Sequence, residues 1–559
     1  MSEGIFERHV ARLKSSLSAH SPDTICDFIT EHTYLRGQKF NFHGHEYQKE
    51  ILQDKAQDIV IIKSAQLGIS EMSARLALAR AVLVNGFSSI YTLPSASAAQ
   101  SFMKTRIDPV IDSSPYLSDL VSKEVDNSAV KRFGDSYIWC RGAQVDRQAI
   151  SIPSDLLIVD EINNSNQDVI TLYESRLIHS SYAMTVKLST PTIPNFGVDK
   201  LFRQSKRKFN LCQCGKCNEW FVPDYHDHVK IPGFDKDIRE VAKSDFSDPK
   251  FRWMDAYVAC PKCGVPVDMI NAKRQWVVEN PDDAFLASGY QISPFECPTV
   301  IKPPALVKAS VEYERPVDFF NQRLGKSLED RETSLGLDEL QQATINEKPG
   351  GGFSYVIGLD MGNTCWMTLA AVLPDNTLVI TKVEAIPLHQ VVSRAVEIAQ
   401  QYRVRMLCVD RGPMTEAVYQ IQQRLRNCFA AVFVPSKGID LFKVIDRESN
   451  LDRGVSDLRQ VNIAKDACMD VLMGLLRAGK ILKVSDENDK VWWHHLMDNK
   501  RVQMFKDGEL VFTWVKTLKE DHLHMALVYA LVASRILGVS TGNVSGLPLM
   551  ATFKYKPQT

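Results

Sequence analysis

Short apolar runs that stop at a polar or acidic residue alternate along this chain with stretches of helical period. Ile59 to Ile62 predicts a buried strand; a polar loop with Gly68 and Ser70 follows, then an apolar-periodic helix from Glu71 to Val84 that stops near Gly86. Ser89 to Leu93 predicts a second strand, and Asp155-Leu-Leu-Ile-Val-Asp-Glu161 a third, buried on both faces and closed by two acids. Thr185-Val-Lys-Leu-Ser-Thr190, ahead of Pro191, predicts a fourth. Such alternation predicts an α/β unit around a parallel sheet. Further on, Tyr355 to Asp360 reads as a strand ending in an acid, and Cys365–Leu373 with Thr377–Ile386 as a hairpin around Pro-Asp-Asn. His389 to Tyr402 predicts a helix, and Met406 to Asp410 another strand closing on an acid. A last helix begins at Lys519 and continues through the apolar Met525-Ala-Leu-Val-Tyr-Ala530. Between the two sets lie a Pro-rich stretch at 294–304, a helical one at 305–326 and the linker signal Gly350-Gly-Gly352.

A chain of 559 residues is too long for one hydrophobic core, so two or three domains are expected. Apolar content of 45% and a net charge of −1 exclude a coat of basic, nucleic-acid-binding charge, leaving local basic candidates at Lys206-Arg-Lys208 and Arg501. No apolar stretch reaches the length of a membrane span, and MSEGIFERHVARLKSS lacks the apolar region of a secretion signal, so a cytosolic chain is expected. The 12 cysteines are then expected as thiols or metal ligands.

Chemistry enters at the loop after the first strand. Lys63-Ser64-Ala65-Gln66-Leu67-Gly68-Ile69-Ser70 joins a strand to a helix N-terminus, where unpaired N–H groups and the helix dipole favour phosphate. In G-x-x-x-x-G-K-[ST] the lysine follows the second glycine; here Ile69 stands there, and Lys63 occupies the place of the first glycine. Just ahead, Tyr47-Gln48 is a candidate for ATP's adenine, Gln48 bonding the base edge and Tyr47 packing on it. Asp160 is expected to hold Mg²⁺ through its water shell, and Glu161 to orient or deprotonate the attacking water. Ser189 and Thr190 are placed to sense the γ-phosphate, and Arg141 and Arg147 are arginine-finger candidates toward a neighbouring subunit.

Cys214/Cys217 and Cys260/Cys263 form two C-x-x-C knuckles, a four-thiolate Zn²⁺ ribbon with Cys212 as a competing spare. Structural zinc commonly contributes roughly 10–16 kcal/mol, enough to fold such an insert. Beyond it, the order β-β-β-α-β-α with acids on the first and fourth strands is the ribonuclease-H-like arrangement. It sets Asp360 beside Asp410, with Asp521 from the last helix as third ligand and His522 or His524 as lesser ones. Two ions (Mg²⁺ or Mn²⁺) about 3.5–4 Å apart then serve phosphodiester cleavage. The fold class expected is α/β multidomain: a P-loop NTPase parallel-sheet domain (36–205) with a zinc-ribbon-like insert (206–275), then a ribonuclease-H-like nuclease domain (350–540). A helical arm (1–35), a connecting subdomain (276–349) and a tail (541–559) complete the division.

This series resembles the large terminase subunit of tailed bacteriophages, the DNA-packaging motor, over roughly residues 40 to 535. KSAQLGIS is similar to the displaced-lysine loop of its lambda-like branch, LLIVDE to its acidic strand, LST to its coupling motif and CPKCG to its cysteine knuckle. GLDMG, VDRGP and DHLHMALVYA resemble its three nuclease motifs, although many relatives carry an acid where this chain has Met525. The resemblance implies a pentameric ring on the portal of an empty capsid in the host cytoplasm. It also implies ATP-driven entry of double-stranded DNA, endonucleolytic cutting of concatemers, and a small terminase subunit that selects the site. A helicase–nuclease of repair or defence is the alternative; it needs a second motor domain, for which 206–350 is short and cysteine-punctuated. A zinc-containing scaffold with degenerate enzyme domains is a third reading, supported by Ile69.

Overall fold

The computed structural model of the chain describes residues 22–150, 152–282, 284–328, 334–348, 350, 353–434, 441–445, 458–506, 509–517 and 520–540. Outside the described residues fall 1–21 of the expected arm, 351 and 352 of the glycine run, Lys519, and the 541–559 tail. The chain divides into two units, Met1–Glu329 with Gln503–Val511, and Asp330–Val502 with Phe512–Thr559.

In the first unit α1 (Pro22–His32) and α2 (Tyr47–Gln53) precede β1 (Asp58–Lys63), α3 (Ile69–Leu83) and β2 (Ser88–Leu93). Then come β3 (Val121–Asn127), β4 (Val130–Phe133), β5 (Ser136–Gly142), β6 (Leu156–Asp160) and β7 (Met184–Ser189). The last four are β8 (Lys206–Gln213), β9 (Trp220–Phe221), β10 (Arg274–Val278) and β11 (Ser288–Ile292). They form one 11-stranded sheet of order β9-β8-β11-β1-β7-β6-β2-β5-β4-β3, with β10 paired to β8. From β8 to β5 every neighbouring pair is parallel. Ile59–Ile62 and Leu156–Val159 are buried throughout, as strands covered on both faces must be.

Two parts of this sheet differ from the sequence expectation. The antiparallel run β3–β5 has no apolar block to announce it. Strand β11, Ser-Gly-Tyr-Gln-Ile within the stretch expected to be connecting structure, stands in the sheet interior beside β1. The helix expected over 305–326 is also interrupted. Pro303–Glu312 ends before Pro316, which cannot continue a helix interior, and a wider helical turn resumes at Phe319–Leu324.

The second unit carries β12 (Thr344–Ile345), β13 (Ser354–Asp360), β14 (Thr364–Val372), β15 (Leu378–Pro387), α4 (Val391–Gln401) and β16 (Met406–Asp410). It continues with β17 (Cys428–Val434), β18 (Phe442–Ile445), β19 (Gln460–Ala464), β20 (Ile481–Val484) and α5 (His522–Ser540). The sheet order is β12-β20-β15-β14-β13-β16-β17-β19-β18. Its centre, an antiparallel β15-β14-β13 joined to a parallel β13-β16-β17, is the ribonuclease-H-like order. Helix α5 lies on β13 at Gly358, where a Cβ would collide with the main chain of Ala526 and Ala530. Gly358 and Asp360 share a face of β13 by the two-residue period, so the close approach of α5 is also what brings its first turn to Asp360. Among the described residues no helix is long and apolar enough to cross a membrane.

Candidate functional site

Strands β1 and β6 flank β7 in the first sheet, and Lys63 and Glu161 leave its C-terminal edge on either side. The side chains close the gap. Lys63 Nζ stands 3.3 Å from Glu161 Oε1, and Ser189 Oγ of β7 donates to Glu161 Oε2 at 3.2 Å. Glu161 itself adopts a left-handed φ of 59°, uncommon for a residue with a Cβ and typical of functional sites. Tyr91 of β2 donates to Asp160 Oδ2 at 2.7 Å and the Ser70 hydroxyl stands near enough to lower this carboxyl, while Oδ1 is buried without a hydrogen-bond partner among the described residues. Burial pushes the Asp160 carboxyl up against the pull of Lys63. Burial would lower Lys63, but Glu161 and Asp160 outweigh it and hold the ammonium above its ordinary value. A buried acid with one open oxygen beside a helix-start hydroxyl fits a hydrated Mg²⁺.

Within the loop, Gln66 and Gly68 take φ of 67° and 72° on either side of Leu67, the alternation that turns successive N–H groups into one concavity. The first two amides are already used. Ser64 N–H donates to Ile292 O at 3.0 Å and Ala65 N–H to Gln322 O at 2.8 Å, which narrows the expected cradle of 63–70 to Gln66 through Ser70. Gly325, φ 64°, permits this approach, since a Cβ there would sit 2.6 Å from Ser64 N. Tyr47 and Gln48 brace the loop as well: the Tyr47 hydroxyl donates to Leu67 O, and Gln48 Nε2 to Gly68 O at 3.3 Å. Tyr47 is 3% exposed, so its ring packs in the core and not as an open platform for a base. Gln48 Oε1 is buried without a hydrogen-bond partner among the described residues.

Arg141 is not brought to this loop. Strand β5 stands four places from β1, about 19 Å at ordinary strand spacing. There the Arg141 guanidinium lies 4.9 Å over the Trp139 ring, and Arg147, Gln100 and Gln148 line the same cavity of about 460 Å³. The basic candidates Arg207, Lys208 and Arg501 pair with Glu279, Asp54 and Asp470 at 2.5, 2.6 and 2.8 Å.

The four knuckle cysteines converge. Cys214 and Cys263 stand 3.8 Å apart, Cys217 and Cys260 3.5 Å, and all four sulfurs lie within 4.8 Å of one another. Tetrahedral zinc with Zn–S near 2.3 Å sets its sulfurs about 3.8 Å apart, so the donor set fits. Backbone N–H groups of Cys217 and Lys216 bring the Cys214 thiol down to about 6, while burial and the neighbouring cysteine sulfurs push Cys217 up to about 12. Cys212 is buried against Met269, Sγ to Sδ 4.0 Å, and stays out of the cluster.

In the second unit Leu359 pairs with Val409, so Asp360 and Asp410 leave adjacent parallel strands side by side. Burial raises both carboxyls, Asp410 up to about 6, even though Gly412 N–H donates to Asp410 Oδ1 at 3.0 Å. Asp521, 6% exposed, is near enough to add to the rise at Asp360, and Lys516 Nζ stands 3.8 Å from Asp521 Oδ1. His522 Nδ1 lies 2.9 Å from Asp360 Oδ2. His524, two residues on and so on another face of α5, is fully buried, is pushed down to about 4 by that burial and contacts Asn499 at 3.2 Å. It is a core histidine. Among the described residues the carboxylates do not form a set as compact as the cysteines. Tyr91, Gln322 and Gly325 carried no motif signal; only the folded chain brings them to these sites. Tyr529, inside the DHLHMALVYA stretch, stands close enough to offset part of the rise at Asp410.

Residues 44–279 match the family model described as phage terminase large subunit gpA, ATPase domain. Over 198 residues the chain is 26% identical to the terminase large subunit of Enterobacteria phage P21, covering 32% of this chain and 31% of that protein. The match thus spans about a third of that relative's length. Among solved structures, the HK97 bacteriophage large terminase aligns at 12% identity and a TM-score of 0.49, over 91% of this chain and 99% of that one. A variant nuclease domain of the large terminase subunit of bacterial virus Sf6 aligns at 11% and 0.24, over 34% and 96%.

Proposed function

We propose, for a chain whose residues 44–279 match the model of the phage terminase large-subunit ATPase domain, a DNA-packaging motor with two chemistries. The first unit hydrolyses ATP to drive double-stranded DNA into a procapsid, and the second cuts concatemeric DNA. The observation that carries the reading is the reach of the displaced lysine: Lys63, leaving β1, meets Glu161 at the acidic end of β6. Lys63 and the amides from Gln66 to Ser70 hold the β- and γ-phosphates of ATP, with Gln48 toward the adenine. Asp160 and Ser70 hold Mg²⁺, and Glu161 orients the attacking water. Ser189, bonded to Glu161, and Thr190 after it relay the loss of the γ-phosphate. Arg141 and Arg147, displaced from their own loop, serve the nucleotide of a neighbouring subunit in a pentameric ring.

In the second unit Asp360, Asp410 and Asp521 hold two divalent ions, Mg²⁺ or Mn²⁺. When bound, these supply an activated water and stabilise the leaving oxygen of a phosphodiester. Cys214, Cys217, Cys260 and Cys263 hold a structural Zn²⁺. The partners of this reading are the procapsid portal and a small terminase subunit, in the host cytoplasm.

Parallel assays of ATP hydrolysis and DNA cleavage test it. Lys63→Ala is expected to lower ATP turnover by roughly 100-fold or more while sparing metal-dependent cutting. Asp360→Ala or Asp410→Ala is expected to do the reverse. Unchanged ATPase in Lys63→Ala rejects the loop assignment, and cleavage that persists in both aspartate variants rejects the nuclease.

A further inference from the structure

We propose that Asn163 is the positioning residue that ties Glu161 to the turn after Ser189 and Thr190, so that the carboxylate serving the attacking water and the segment holding the phosphate loop move together. The inference rests on the nucleotide-site reading above. Asn163 is 1% exposed and lies two residues beyond Glu161. Both ends of its amide are used across long stretches of chain. Nδ2 donates to Thr192 Oγ1 at 3.1 Å, and Oδ1 accepts from Val198 N–H at 2.7 Å.

The chain is shaped to keep this amide in place. The helix Gly197–Arg203 has no side-chain cap from its own N-cap residue, Phe196, and Asn163 supplies one from 35 residues away. Gly197, φ 52°, leaves the room, since a Cβ there would collide with Asn163 Oδ1. On the near side, Asn164 N–H and Ser165 Oγ both donate to Glu161 O, at 2.9 and 3.3 Å, which makes 161–165 one tight turn. On the far side, Thr192 O accepts from Leu328 N–H at 3.3 Å, and the same segment reaches back through Gln322 O to Ala65 N–H of the phosphate loop. A circuit thus runs Glu161–Asn163–Thr192–Leu328–Gln322–Ala65 and closes around the contact of Lys63 with Glu161. A close-packed interior transmits displacement and does not absorb it. A shift of Glu161 on loss of the γ-phosphate therefore reaches both the strand-end turn and the loop.

The competing role for Asn163 is to stitch two turns together with no part in turnover. ATP affinity, kcat for ATP hydrolysis and thermal stability of the full chain, measured side by side, separate the two. Thr192→Val removes the hydroxyl with little change of shape. Asn163→Asp keeps the acceptor for Val198 and loses the donor for Thr192. Each is expected to lower kcat by roughly 10- to 100-fold, the scale of a small misplacement at a reacting centre, with ATP affinity within about twofold of native. The double variant is expected to be no slower than the slower single one, because both cut the same link. Native kcat in either variant, whatever its melting temperature, overturns the proposal, as do losses that multiply in the double variant. Either result leaves the loop assignment standing, since that assignment falls only if Lys63→Ala keeps native ATP hydrolysis.

Discussion

Glu296 shows how a single buried acid sets a pH dependence. It is 8% exposed just after β11, accepts from Asn210 Nδ2 at 2.6 Å, and has Arg274 at 4.0 Å. Burial dominates and pushes its carboxyl up to about 7. The neutral acid is thus the form the fold prefers. Its contribution is fully present below about pH 4.5, the unfolded value, and is lost as pH rises through 7. Glu296→Gln keeps the shape and cannot ionise. Its stability relative to the native chain is expected to be near zero at pH 4.5 and to grow to about 3 kcal/mol at most by pH 8. Urea unfolding at the two pH values measures this, and a pH-independent difference would exclude the mechanism. At this scale the residues that the fold gathers at the strand ends and in the thiolate cluster were legible when they sat in a local pattern, as Lys63, Asp160, Asp360 and the knuckle cysteines do. Roles set by tertiary packing were not. The brace from Tyr47 to Leu67, the burial of His524 and the diversion of Ser64 and Ala65 depend on neighbours that no spacing reveals.

Among elements, strands that end in acids were readable because a strand buried on both faces must be a continuous apolar run. Strand β5 escaped because its burial alternates, β3 because none of its residues is fully buried, and β11 because a five-residue strand containing Gly289 carries little propensity of its own. The seat of α5 on β13 yields a direct test. Gly358→Ala forces helix and strand apart at the point of contact, at a cost of about 1–3 kcal/mol for overpacking. Lower thermal stability with loss of cleavage and intact ATP hydrolysis is the expected result; an unchanged melting profile would contradict the close approach. The cysteine segment makes another element-scale prediction. Elemental analysis is expected to find about one zinc per chain. Chelation is expected to unfold the region around Cys214 and Cys260, read as new protease-sensitive sites there. A chain free of zinc that resists protease equally well would remove the metal from the account.

For the whole molecule, two units with separate sites mean that each chemistry can be silenced alone, and the paired assays on Lys63 and Asp360 variants read that independence. The order of the first sheet reaches further, into how the protein comes to exist. Ser64 and Ala65 acquire their backbone partners only from Ile292 and Gln322, so the phosphate loop is held by chain that follows it by 257 residues. At about 5–20 residues per second on a ribosome, the 229 residues from Lys63 to its strand partner Ile292 take roughly 11–46 s, during which β1 lacks its β11 neighbour. Its apolar edge stands open to mispairing throughout. A fragment ending at residue 279 would keep that defect permanently. It is expected to aggregate or fail to bind ATP, whereas one ending at residue 329 is expected to bind it. Covering β1 during synthesis is therefore expected to raise the yield of chain that binds ATP.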